Sequence, residues 1–351
     1  MTIHYLLKTT ALTLAAGLAA AGATAQVNLT TATASPGSVV HVTTHHLATV
    51  AGERGIAALQ VGDGLTLTNT VLDVAEGRMS MSEAPMILPF MLARGMGPYS
   101  GVANGAELAG RLRALFPYNS GGYNVIALSS TGIESWEDLR GHTVFNGPPR
   151  GAALTNARQA VTMATGMEDG TDYTGYQANW GQLNAMMTDG SVDAFVFPTL
   201  HPSDRVILAQ AAGDVNIISV PREVFEGDQF QRLFQIPGNI PVVTPWADAG
   251  YDEHVHLLQS DDGMLRSLGT AFATVVRDDF DEQLAYDLVS AYIETLDRLR
   301  AATPYARNAG HGIVDQVASG FCGNNDLRYH PGAVRAWADH GYELPACALP
   351  G

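Results

Sequence analysis

Strands alternate with helices in two blocks along this chain, and the second block interrupts the first. The segment GSVVHVTTHH, residues 37–46, reads as a buried strand leading into a helix at Leu47–Gln60. A weak strand at Leu65–Thr70 precedes a helix at Val71–Glu76, which Gly77 ends. A strand at Met79–Ser82, helices around Pro85–Arg94 and Gly105–Leu115, and a strand at Asn124–Ser129 complete the first block. Such alternation predicts a parallel α/β sheet.

The second block opens with Ser135 capping a short helix, and Asp138 three residues on completes a capping box. Gly141 stops that helix, His142–Phe145 is a strand, and Gly147–Gly151 is a glycine- and proline-rich turn before a helix at Ala152–Thr165. A helix at Gly181–Asp189, a strand at Asp193–Phe197, a helix at Ser203–Ala212 and a strand at Val215–Val220 follow. The long amphipathic stretch Asp279–Arg300 returns to the first block. The expected organisation is lobe I from residues 26–128 and 226–351, and lobe II from 129–225, both α/β. A small-ligand cleft should lie between them, where strand ends meet the lobe boundary. A mature chain of roughly 325 residues also exceeds what one core usually holds.

The amino terminus predicts where the protein works. Lys8 precedes a small, apolar run ending in Ala23-Thr24-Ala25, the pattern of a signal peptide over residues 1–25. That run is shorter than the roughly 20 apolar residues a spanning helix needs. The mature protein is therefore expected in the periplasm. Loss of Lys8 takes the net charge from -16 to -17. Such acidity disfavours nucleic acid and anionic lipid as partners, although one buried arginine can still dominate locally and hold an anion. The two cysteines, Cys322 and Cys347, are read as a disulfide in an oxidising compartment, with two free buried thiols as the alternative.

The motif search gives no catalytic constellation and no cofactor. GxSxG, HExxH, a Walker loop and GxGxxG are all absent from the sequence. His254-x-His256 has zinc-like spacing, but without a third ligand nearby in sequence it reads as a solvated strand face, so no metal is expected. His45-His46 follow the expected first strand and suit either ligand contact or a hydrogen-bonded structural pair.

Ordered landmarks carry a resemblance. These are Gly77 with the strand after it, Leu112-Arg113-Ala114-Leu115 with Tyr118, and Ile133 to Gly141 (IESWEDLRG). Gly147 to Ala157, Thr188 to Ala194 (TDGSVDA), Pro202 and Gly250-Tyr251 continue the series. The tail LRYHPGAVRAWADHGYELP closes it, with Pro331 at a helix start and Gly341 at its end. Together they resemble the TAXI branch of the solute-binding subunits of TRAP-type transporters. The resemblance implies a two-lobed, type II-like periplasmic-binding-protein fold with a C-terminal helix on the first lobe. It also implies a monomer that captures a small, carboxylate-bearing solute or amino acid and delivers it to TRAP membrane subunits. An ABC-type binding protein and a sensory partner of a membrane receptor share this architecture; an extracytoplasmic enzyme on the same scaffold is a further alternative.

The sequence departs from the family in the glycine-rich loop, where Gly151, Ala152 and Ala153 stand in place of Ser, Gly and Thr, and Arg150 is gained. Backbone N–H groups at the following helix start can still hold an anion. The candidate ligand contacts are Thr44, His45, Thr68, Asn69, Tyr118, Arg150, Gly151, Ala152, Thr199 and His201.

Overall fold

The computed structural model describes residues 26–34, 36–322 and 325–351. The expected signal peptide lies outside the described residues. Among those described, no helix is long and apolar enough to cross a membrane.

β1 (Val27–Ala32) and β2 (Ala57–Gly62) form a parallel pair. The other ten strands share one sheet: β3 (Met81–Pro85), β4 (Leu112–Leu128), β5 (Thr143–Phe145), β6 (Thr174–Tyr176), β7 (Ala194–Thr199), β8 (Val215–Ile218), β9 (Asn239–Pro245), β10 (Val255–Leu258), β11 (Met264–Arg277) and β12 (Arg328–Tyr329). The helices, in chain order, are α1 (Val39–Glu53), α2 (Leu67–Ala75), α3 (Ile87–Ala93), α4 (Gly105–Gly110), α5 (Ala152–Thr165), α6 (Leu183–Asp189), α7 (Asp204–Ala209), α8 (Arg222–Phe225), α9 (Asp228–Leu233), α10 (Glu282–Glu294), α11 (Leu296–Arg300) and α12 (Pro331–Asp339).

Two long antiparallel strands organise the sheet. The first half of β4 pairs with β11 and β12, and its second half pairs with β7 and β8. β11 carries β9 along its early residues and β3 along its late ones. Both strands thus run from one hydrophobic core into another. One core gathers α1, α2, α10, α12 and the outer half of β4, with Leu47, Phe116, Tyr292 and Trp337 at its centre. Two clusters on either side of the second sheet region hold Trp136, Val144, Val161 and Phe230, and Phe145, Phe195, Phe197 and Leu265.

This corrects four expectations. The sheet is mixed rather than parallel, because β4 runs antiparallel to β7, β8 and β11. The second core does not stop at residue 225: Phe230, Leu233, Val255, Leu265 and Leu268 pack into it, because β11 starts there before crossing. The run Val39–Thr44 is helix, not strand. Ser38 accepts a hydrogen bond from the His41 N–H, and Val39, Val40, Thr43, Leu47, Val50 and Ala51 then fall on one buried helical face. The weak strand at Leu65–Thr70 is likewise the start of α2.

The expected helices Leu47–Gln60 and Gly105–Leu115 end early, at Glu53 and Gly110, because β2 and β4 begin at Ala57 and Leu112; several other readings match closely. α5 has the expected bounds, with Gly151 before it and left-handed Gly166 after it. The Ser135–Asp138 box forms reciprocally, although the helix it opens is a short 3-10 turn. In the tail, His330 caps α12, Pro331 is its first residue, and Cys322 and Cys347 form a disulfide.

Candidate functional site

A cleft of about 830 Å³ lies between the cores, floored by the crossing strands. Ser120 and Tyr123 of β4 and Thr270 and Phe272 of β11 form that floor. The register of the two strands shifts between Gly269 and Ala271, where they pass from one lobe to the other. Gly121, with φ of 96°, makes this possible: a Cβ there would lie 2.3 Å from the Thr199 backbone.

Three helix starts point their residues at the cleft. Pro36–Val40 lead into α1 and Thr66–Asn69 into α2 on one wall; Pro148–Ala153 lead into α5 on the other. No side chain caps the start of α2 or α5, so their first N–H groups have no side-chain partner. Uncapped helix starts carry partial positive charge and suit an anion.

Two arginines line the same space, Arg150 before α5 and Arg205 in the first turn of α7. Arg205 is half-buried, and its guanidinium carbon sits 5.9 Å from the centre of the Phe197 ring. Burial pulls its pKa below the ordinary value, while Tyr305 and Asp204 oppose that pull. Among the described residues neither arginine has a hydrogen-bond or ion-pair partner, whereas Arg266 and Arg298 are both held by carboxylates. A cation left unpaired in a cleft is a ready partner for a carboxylate or another small oxyanion.

Six of the ten expected contacts lie on the cleft: Thr68, Asn69, Arg150, Gly151, Ala152 and Thr199. The other four lie elsewhere. His45 points from α1 to Asp63, 2.8 Å away, because the expected loop is helix. His201 is buried with its Nδ1 2.8 Å from the Tyr251 hydroxyl, and burial pulls its pKa down to about 4. Thr44 and Tyr118 turn inward onto Glu83.

Glu83 on β3 is fully buried. Tyr118 donates to it at 2.8 Å, and Thr274 and Thr44 lie at 2.9 and 3.1 Å. Burial pushes its carboxyl up to about 7, against the pull of those three hydroxyls. A carboxyl whose folded pKa is raised favours folding most below its ordinary value of 4.5 and loses that contribution as pH rises through about 7. Glu83→Gln is therefore expected to gain about 3 kcal/mol relative to the native protein between pH 4.5 and pH 8. Urea unfolding at the two pH values measures it; parallel behaviour of the two proteins would contradict it.

Sequence reasoning passed over Arg205, Tyr123, Trp180, Thr270 and Tyr305. Arg205 carries a readable signal, since a cation in a first helical turn opposes the helix dipole. The floor residues carry none, because only the pairing of β4 with β11 brings them together.

The profile of the NMT1-like family matches residues 31–341. The chain belongs to that family. No curated protein matches it. Among solved structures, this NMT1-like protein is similar to a TRAP periplasmic solute-binding protein from Ralstonia eutropha H16 with bound (S)-2-acetolactate. That likeness has 13% identity and a TM-score of 0.44, and covers 91% of this chain and 86% of that one. The periplasmic ectoine-binding protein of the TeaABC TRAP transporter of Halomonas elongata gives 12% identity and a TM-score of 0.43, covering 89% and 90%. A TRAP periplasmic solute-binding protein from Desulfovibrio desulfuricans with bound sn-glycerol-3-phosphate gives 13% and 0.44, covering 92% and 94%.

Proposed function

We propose that this NMT1-like protein is the periplasmic solute-binding subunit of a TRAP-type transporter, of the TAXI branch, and that it captures a small organic acid. The observation that carries this reading is the inter-lobe cleft, where an unpaired, half-buried Arg205 faces the same space as three helix starts. A cleft floored by two strands common to both lobes suits a hinge, and ligand contacts on both walls favour the closed form. The membrane subunits would then read closure. Arg205 and the start of α5 would hold the carboxylate, while Thr68, Asn69, Thr199 and Trp180 would fit the rest of the solute.

Mature protein is to be screened by thermal unfolding against mono- and dicarboxylates, keto acids, amino acids and neutral sugars. An acid present at about 100 times its Kd adds about 2.7 kcal/mol of stability. The reading predicts stabilisation by at least one acid and none by neutral sugars. A folded protein that no acid stabilises would contradict it.

A further inference from the structure

His41 and His45 stand four residues apart on α1, a spacing that places both imidazoles on one helical face. Their ring centres are 4.2 Å apart. Asp63, in the turn after β2, meets them from the other side: its Oδ1 lies 2.8 Å from His45 Nε2 and 3.6 Å from His41 Nε2. Among the described residues this is the one group of three or more histidine, cysteine and acidic side chains whose donor atoms all fall within 4.8 Å of one another.

The separations are close to those a single ion would impose. A tetrahedral zinc ion with nitrogen and oxygen ligands near 2.0–2.1 Å spaces its donors by roughly 3.3 Å. The observed 2.8 and 3.6 Å lie on either side of that value, the shorter being a direct His45–Asp63 hydrogen bond that a bound ion would replace. All three side chains are part-exposed, which gives an ion a route in and leaves its remaining positions to water. Two imidazoles and one carboxylate suit the nickel, copper and zinc end of the first-row series rather than magnesium or calcium, which prefer all-oxygen sites.

We infer that His41, His45 and Asp63 bind one divalent transition-metal ion, at a site separate from the solute cleft. The ion would pin the turn after β2 to α1. Both segments continue directly into the cleft wall, at Leu65–Thr66 and at Ser38–Val40, so the site would brace the wall without touching solute. The inference does not depend on what the cleft binds.

The test uses untagged mature protein, stripped with chelator and titrated calorimetrically with zinc chloride and with nickel chloride. One equivalent of ion is expected to bind and to raise the unfolding temperature. Loss even of a group that only supports a metal ligand costs 10–100-fold in affinity, so His41→Ala, His45→Ala and Asp63→Asn should each weaken binding at least about tenfold. Each variant should also lose the temperature shift. His254 and His256 flank Asp214 at 2.9 and 3.5 Å and form the natural control. Replacing both of them by Ala should leave the one-equivalent binding unchanged. The absence of one-equivalent binding by either ion would overturn the inference. So would binding that survives in His41→Ala and His45→Ala while circular dichroism shows both variants folded.

Discussion

Replacing Arg205 by Ala is expected to weaken binding of an acidic solute by about 100-fold, close to 3 kcal/mol. The size follows from where the charge sits. Arg205 is half-buried over the Phe197 ring and has no partner among the described residues, so its attraction for an anion is little shared and only partly screened. Lysine at the same position keeps the charge but loses the planar fork, and should recover only part of the affinity. Arg150 is exposed, and an exposed pair is worth about 0–1 kcal/mol, so Arg150→Ala should cost less than tenfold. Titration of the three variants with the acid found by thermal screening decides the matter. Unchanged affinity in Arg205→Ala would remove Arg205 from the site, and a loss at Arg150 as large as that at Arg205 would contradict the ranking by burial.

The second large effect belongs to the tail. Trp337→Ala should lower stability by about 3–5 kcal/mol, since it empties a fully buried indole from α12. The ring packs edge-on against Tyr292 and Tyr342, and its Nε1 donates to the Leu115 carbonyl at 3.0 Å. Leu115 is the extra residue where β4 slips against β11 between Thr274 and Val275. The indole therefore satisfies a carbonyl at the irregular point of a strand that runs on into the cleft floor. Trp337→Phe keeps most of the ring but orphans that carbonyl, and should cost about 1–3 kcal/mol. Denaturant unfolding measures both. Because α12 packs on the first core, away from the cleft, the folded variants should bind solute with native affinity. A loss below 1 kcal/mol for Trp337→Ala would refute this account of the tail.

Legibility of the sequence divides along physical lines. Elements with chemical punctuation read well: α5 lies between Gly151 and Gly166, and α12 begins at Pro331. Elements whose identity rests on a partner read poorly. Val39–Thr44 has the β-branched content of a strand, and burial of one helical face against the first core overrides that propensity. β4 extends over 17 residues through Gly121-Gly122, which in sequence look like a break. Its first two-thirds pair with β11, Met264–Arg277, far along the chain. The site divides in the same way. Arg150–Ala152 is legible because the glycine- and proline-rich turn before it marks the start of α5, whereas Leu67–Asn69 reads as strand and only the fold makes it the first turn of α2. Thr44 and Tyr118 differ from expectation for a reason of phase: the helix of α1 and the slip in β4 turn their side chains onto buried Glu83.

The central claim, that the cleft holds an acid through Arg205, is tested most directly by a crystal structure of the mature protein with the stabilising acid bound. The account predicts density for the acid on the floor formed by β4 and β11, with carboxylate oxygens about 3 Å from the Arg205 guanidinium. It also predicts the two walls drawn together around the acid. Density for the acid outside the cleft, or a carboxylate inside it facing away from Arg205, would contradict the account.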